Sequence, residues 1–248
     1  MKIIGDIGNT EVKICLVDNK FKIKKKIFVK TNEINQSNLK KNLKFLLKYK
    51  NNLESIVFSS VAPKIYKKFS IFFKSNLNKK IIEIKNFNLN KLIDIRVNKN
   101  QVGSDRLANS IAATDSRNNY IIIDFGTATT FDVLIKKKYL GGIISPGIKL
   151  SLNTLTSSAS LIPEINLKKI SNVIGKNTLD AVRSGFFWGY AGLIDNMIKL
   201  IKRQTKSAFK IILTGGLAEL YKNSINTKCK VDKDLTIKGI IKITKNFI

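Results

Sequence analysis

Two short stretches carry the same unusual set of polar side chains beside an apolar segment. Residues 6 to 13 read Asp-Ile-Gly-Asn-Thr-Glu-Val-Lys, and residues 124 to 132 read Asp-Phe-Gly-Thr-Ala-Thr-Thr-Phe-Asp. In each, an apolar run reaches an aspartate, breaks at glycine and hydroxyl-bearing residues, and turns apolar again. Placed in β-hairpin turns, Gly8, Asn9 and Thr10, or Gly126, Thr127, Thr129 and Thr130, let the backbone approach an anion and offer N–H and O–H donors to phosphate oxygens. Asp6 and Asp124 can then hold the cation that accompanies a polyphosphate, since magnesium takes one or two carboxylates and completes its shell with water and phosphate. A single Asp-Gly turn needs no ligand. Two copies at a spacing of 118 residues (124 minus 6) call for a common reason, and a two-sided phosphate clamp supplies one.

Three further stretches fit that chemistry. Residues 211 to 221, IILTGGLAELY, read as a strand, a glycine turn and a helix from about Ala218, with Gly215 and Gly216 letting a flat group such as a nucleobase or ribose lie against backbone. In Val102-Gly103-Ser104-Asp105-Arg106, Ser104 or Asp105 reads as a helix cap, worth about 1 kcal/mol. Arg106 in the first helical turn opposes the helix dipole, so it points to an anion such as a substrate carboxylate. Asp105 beside it is placed to take the proton of a hydroxyl attacking a phosphoryl group. The stretch IGKNT at 174 opens a long helix at Asn177 or Thr178, whose N-terminus suits substrate contact. Its Gly185, Gly189 and Gly192 predict a close neighbour, within the chain or across a dimer.

The elements that must carry these residues repeat. Strands are expected at 2–5, 12–17 and 21–29, then a helix through Leu39, Leu43, Leu46 and Leu47, a strand SIVFSS, a helix through Ile65, Phe69, Phe72 and Phe73, a short strand IIEI and a helix from about Arg106 to Arg117. The cycle restarts with strands at 120–124, 130–135, 139–144 and 210–214. This predicts an α/β protein of two duplicated lobes, 1–118 and 119–248, with a cleft between them.

Composition narrows the chemistry. Zero histidines exclude Ser-His-Asp hydrolysis and histidine-ligated zinc, and Cys15 and Cys229 alone make neither a disulfide framework nor a cysteine metal site. Acid–base work falls to Asp, Glu, Lys or Tyr. No apolar run approaches the roughly 18 residues of a membrane span, and the start is unlike a signal peptide, so a cytoplasmic protein is expected. The net charge is +28, but with five arginines among 45 basic residues it is nearly all scattered lysine. Without an aromatic-interleaved basic motif, that reads as solvated surface and argues against a nucleic-acid partner. The residues alone reach an ATP-dependent phosphotransferase or ATPase and leave the acceptor open. A small-polyol kinase and a kinase-like accessory factor for transcription or nucleic-acid binding stay as alternatives.

Seven ordered motifs, DIGNT at 6, SSVAP at 59, VGSDR at 102, DFGTATTFD at 124, GGIISPGI at 141, IGKNT at 174 and TGGLA at 214, together resemble the type III pantothenate kinases. That family belongs to the superfamily of sugar kinases, actin and heat-shock ATPases, with two ribonuclease-H-like lobes. The resemblance implies transfer of the ATP γ-phosphate to the primary hydroxyl of pantothenate, giving 4'-phosphopantothenate at the start of coenzyme A synthesis. It implies that Asp6, Ile7, Gly8, Asn9, Thr10, Glu11, Val12 and Lys13 form the first ATP phosphate loop, where the carboxylate of Asp6 is expected to hold magnesium through water. It further implies Thr127 on the ATP phosphates, Asp124 on a potassium or ammonium ion, Asp105 as proton acceptor, and Gly103, Ser104, Asp105, Arg106 and Thr178 on pantothenate. A homodimer whose substrate pocket borders the subunit interface is implied as well. Arg96-Val97-Asn98-Lys99 stands where the family often has Tyr-x-Asn-Pro, and Ser104 where alanine is usual.

Overall fold

A central strand buried along most of its length builds the first sheet. In the computed structural model, which describes all 248 residues, β1 (Lys2–Ile7), β2 (Glu11–Val17) and β3 (Ile23–Lys30) form an antiparallel meander. Ile3, Ile7, Val12, Ile14 and Leu16 point to one face, while Asp6 and its cross-strand neighbour Lys13 point to the other. The apolar face packs on α1 (Gln36–Leu43), the 3-10 run Lys44–Asn52 and α2 (Pro63–Leu77). Proline at the first position starts α2, and Asn78 in the left-handed conformation ends it. Between them β4 (Ser55–Ser60) lies parallel to β1. Its Phe58 meets Phe69 and Phe73 of α2 at ring separations of 5.7 and 5.8 Å. The short strands β5 (Ile82–Glu83) and β6 (Asp94–Ile95) precede α3 (Ser104–Ala113). The sheet order is β3-β2-β1-β4-β5.

The second half repeats this plan. In it β7 (Tyr120–Phe125), β8 (Ala128–Ile135) and β9 (Lys138–Pro146) form an antiparallel meander. After α4 (Ile148–Ser158) and α5 (Thr178–Thr205), β10 (Lys210–Gly215) runs parallel to β7. A single turn, α6 (Ala218–Tyr221), leads to β11 (Cys229–Val231), parallel to β10. Within this half the strands run β9-β8-β7-β10-β11, the order of the first sheet. Its core joins Ile121, Ile123 and Phe131 of the sheet to Phe187, Ile194 and Ile198 of α5.

The C-terminal helix α7 (Leu235–Phe247) departs from the expected division. The two compact units are Met1–Ala113 with Asp234–Ile248, and Thr114–Lys233, so the second does not extend to 248. Close packing explains this. A Cβ on Gly239 would lie 1.9 Å from the Ala108 carbonyl oxygen, so α7 crosses α3 in backbone contact. Thr236 Oγ1 donates to Asn109 Oδ1 at 2.8 Å and Lys242 Nζ to the Ile111 carbonyl at 2.8 Å. The helix expected to reach Arg117 stops at Ala113. Beyond it Asp115 Oδ1 takes the N–H groups of Arg117 and Asn118, both at 2.7 Å, and turns the chain towards β7. No helix is long and apolar enough to cross a membrane.

Gly239→Ala has no room for its methyl group unless α7 moves off α3. It is expected to destabilise the protein by about 1–3 kcal/mol, read as a lower midpoint in denaturant unfolding; an unchanged midpoint would contradict the backbone contact.

Candidate active site

In the first unit Asp6 is the penultimate residue of β1, opposite Lys13 on β2 and Ser59 on β4. The loop after it is closed by the Gly8 N–H donating to the Glu11 carbonyl at 3.0 Å. Thr31, just past β3, braces it by donating from Oγ1 to the Gly8 carbonyl and from N–H to the Thr10 carbonyl, both at 2.9 Å. Asn9, Thr10 and Glu11 are left exposed at the tip, whereas the Ile7 and Val12 side chains lie in the core and leave only their backbone for a ligand.

The same sheet end receives Asp105. The Val61 N–H donates to the Ile7 carbonyl at 3.0 Å, which carries the SSVAP segment past the tip. A Cβ on Gly103 would lie 3.4 Å from Val61 Cγ1 and 2.5 Å from Asp105 Oδ1. The helix α3 starts at Ser104 rather than near Arg106, and the Leu107 N–H donates to the Gly103 carbonyl at 3.1 Å, so Gly103 stands in the cap position expected for Ser104 or Asp105, both of which lie inside the helix. Asp105 Oδ1 accepts from the Arg106 N–H at 2.7 Å. Burial pushes the Asp105 carboxyl above the ordinary carboxylate range, against the opposing pull of the Arg106 N–H, the Arg106 guanidinium and Lys85. Ser104 is buried, with its hydroxyl donated to Glu83. Zero histidines leave a carboxyl raised in this way as a natural general base.

In the second unit Asp124 occupies the equivalent place, penultimate in β7, with Thr130 on β8 and Thr214 on β10 as its neighbours. Gly126 and Thr127 are the exposed two-residue tip. Thr129 and Thr130, expected among the tip hydroxyls, lie inside the unit, because β8 begins at Ala128 and draws both into the sheet. Their hydroxyl oxygens are buried without a hydrogen-bond partner. Asp124, Thr130 and Thr214 share one face, an all-oxygen set that fits a hard cation. The molecule has no group of three or more His, Cys, Asp or Glu that could hold a metal, so a magnesium at Asp6 would take most of its ligands from water and phosphate.

The paired glycines divide their work. Gly215 has φ +84°, and a Cβ there would lie 2.5 Å from Asp124 Oδ1 and 2.6 Å from the Phe125 N and O atoms, so this glycine lets β10 close on the carboxylate. A Cβ on Gly216 would meet nothing within 4 Å, which leaves that face open to a ligand. Gly147, in the SPGI motif, packs directly on the Thr127 carbonyl; sequence reading assigned it no role.

Thr178 is the exposed first residue of α5. Asn177 is the cap: its Oδ1 accepts from the Asp180 N–H at 2.9 Å and its Nδ2 donates to Asp180 Oδ2 at 3.0 Å. The glycine stripe has no close neighbour in the chain, since Cβ atoms on Gly185, Gly189 and Gly192 would meet nothing within 4 Å. Gly185 and Gly189 line an apolar groove of about 410 Å³ with Leu155, Phe186, Tyr190 and Leu193. The first unit therefore brings together the Asp6–Lys13 loop, Asp105 and Arg106, and the second holds Asp124, Thr127, the glycine turn and Thr178.

Two mixed sheets of one strand order, each with a carboxylate near the end of its central strand, define the fold of the actin-like ATPases and sugar kinases. A putative 2-dehydro-3-deoxygalactonokinase from Sinorhizobium meliloti has this fold, with a TM-score of 0.64 at 10% identity over 100% of this chain and 97% of that one. So does a conserved protein of Campylobacter jejuni described as a putative Baf family transcriptional activator, with a TM-score of 0.60 at 21% identity over 98% of each chain. Sequence carries the comparison further. Residues 2–200 match the family model for type III pantothenate kinase, and the chain is 57% identical over 244 residues to the type III pantothenate kinase of Pelagibacter ubique (strain HTCC1062), covering 98% of each. The chain belongs to the type III pantothenate kinase family.

Gly215→Ala must displace either Asp124 or the backbone of Phe125, and alanine is strained at φ +84°. It is expected to cost more than about 1 kcal/mol and most of the turnover of ATP, whereas Gly216→Ala, with open space for its methyl, should unfold at the wild-type midpoint. Equal unfolding midpoints for the two variants would contradict this division.

Proposed function

We propose that this protein transfers the γ-phosphoryl group of ATP to the primary hydroxyl of pantothenate, giving ADP and 4'-phosphopantothenate, the first step of coenzyme A synthesis. The observation that carries the reading is Asp105, a carboxyl raised by burial at the sheet end where the Asp6–Lys13 tip also lies.

In this reading the exposed Asn9–Glu11 tip and Lys13 donate to the nucleotide phosphates, and Thr127 does so from the second unit. Asp6 would hold magnesium through water, and Asp124 with Thr130 a potassium or ammonium ion; when bound, these ions neutralise charge on the phosphates. Gly103 and Ser104 shape the pantothenate site with their backbone, Arg106 faces the substrate carboxylate, and Thr178 contacts the substrate from the start of α5. Asp105 accepts the hydroxyl proton as the oxygen attacks phosphorus, and the bond to the leaving ADP oxygen breaks. The apolar groove along Gly185 and Gly189 suits the face of a homodimer. A cytoplasmic setting follows from the substrates.

Asp105→Asn should bind ATP with wild-type affinity and lose at least about 100-fold in pantothenate-dependent ADP release; full turnover by that variant would remove Asp105 from its role. Only the ionised carboxylate accepts a proton, so activity is lost as pH falls. Because burial raises the carboxyl, that acid limb should lie above the ordinary carboxylate range, and a limb within that range would contradict the assignment. Asp124→Asn should abolish any difference between rates in potassium and in sodium, and a preserved difference would move the cation elsewhere.

A further inference from the structure

The two ends of α3 are held by different parts of the first unit. From Ala108 onward the helix is clamped by α7, through the Gly239 contact, Thr236 on Asn109 and Lys242 on Ile111. The first turn, which carries Asp105 and Arg106, is anchored by Glu83 at the end of β5. Its carboxylate is divided between two donors: Oε2 accepts from the Lys85 N–H at 2.6 Å and Oε1 from the Ser104 hydroxyl. Ser104 is 2% exposed, so water does not compete for that bond.

The segment Glu83–Lys85 is also tied to the loop that feeds α3. Lys99 Nζ donates to the Lys85 carbonyl at 3.0 Å, and Lys85 Nζ to the Asn100 carbonyl at 3.4 Å. Asn98 Oδ1 accepts from the Asn100 N–H at 3.0 Å, which turns that loop. The stretch Val102–Arg106 is thereby bracketed, with Lys99 and Asn100 before it and Ser104 within it fixed to one short segment.

We propose that Glu83 is a positioning residue for phosphoryl transfer, acting through Ser104 and the Lys85–Lys99 bracket to fix the direction of the Asp105 carboxylate. The inference rests on the assignment of Asp105 as proton acceptor. A helix's first turn lacks the intrahelical partners of later turns and takes its geometry from what lies outside it. Gly103 brings no side chain to that task and the Asp105 carboxylate turns back on the Arg106 N–H, so in this chain, which has serine where alanine is usual, the Ser104–Glu83 bond is the side-chain anchor of the turn. Small displacements of a catalytic group cost rate while leaving binding of the other substrate intact.

The test uses the full-length protein with ATP, magnesium, potassium and pantothenate, and compares Ser104→Ala, Glu83→Ala, Glu83→Gln and the Ser104→Ala/Glu83→Ala double variant. Each alanine variant should lower kcat roughly tenfold with KM for ATP unchanged. The double variant should be no slower than Glu83→Ala alone, since both changes remove one bond. Glu83→Gln, which keeps an acceptor for Ser104, should recover part of the loss. A wild-type kcat in Ser104→Ala and Glu83→Ala, a parallel rise in KM for ATP, or fully additive losses would each overturn the proposal. Should Glu83→Ala fold poorly, Ser104→Ala decides alone, read well below its melting temperature. Asp105→Asn separates the two readings: full turnover there defeats the assignment of Asp105, whereas its loss beside unimpaired Ser104→Ala and Glu83→Ala defeats only the role of Glu83.

Discussion

A central strand with an antiparallel partner on one side and a parallel partner on the other sets the geometry of both units. In β1 and in β7 the penultimate residue is an aspartate, and its neighbours are fixed by register: Lys13 and Ser59 for Asp6, Thr130 and Thr214 for Asp124. Because strand residues alternate between faces, Asp6 and Asp124 turn away from the cores that hold Ile7 and Phe125. A slip of one residue would drive each carboxylate into apolar packing, so burial of the isoleucines on the core face holds the site residues in place. Local stability and chemistry thus rest on one register.

The role proposed for Asp105 depends on a second constraint, the seating of α3. Chain from three distant places meets there: α7 on the body of the helix, Val61 beside Gly103, and Glu83 on Ser104. The resulting burial raises the Asp105 carboxyl, and Arg106 and Lys85 keep that rise in check. A carboxyl raised above its ordinary range is better matched to taking a proton from an alcohol than an ordinary surface carboxylate is. In a chain without histidine, burial does the tuning that imidazole would otherwise supply.

Much of this was legible in the sequence because its signals are local. The two aspartates, their glycine-containing turns and the spacing of 118 residues (124 minus 6) between them announced the duplication, and the strand order within each unit repeats it. What sequence reading missed is tertiary. The amphipathic pattern of residues 235–247 cannot say which unit it covers; the contact of Gly239 with Ala108 decides that. Thr129 and Thr130 look like tip hydroxyls until β8 is seen to start at Ala128. Gly215 and Gly216 read alike, yet one admits a carboxylate and the other leaves open space. The stripe on α5 was expected to meet a neighbour, and the chain itself provides none. Ser104 and Glu83 are separated by 21 residues, and no local pattern joins them.

The most direct test of the phosphotransfer chemistry is the fate of the γ-phosphoryl group. The purified protein is incubated with ATP, magnesium, potassium and pantothenate, and the products are resolved by phosphorus NMR and mass spectrometry. The expected result is one phosphorylated pantothenate, modified on its primary hydroxyl, for each ADP formed. ADP with inorganic phosphate and unchanged pantothenate, or intact ATP in the presence of folded protein, would contradict it.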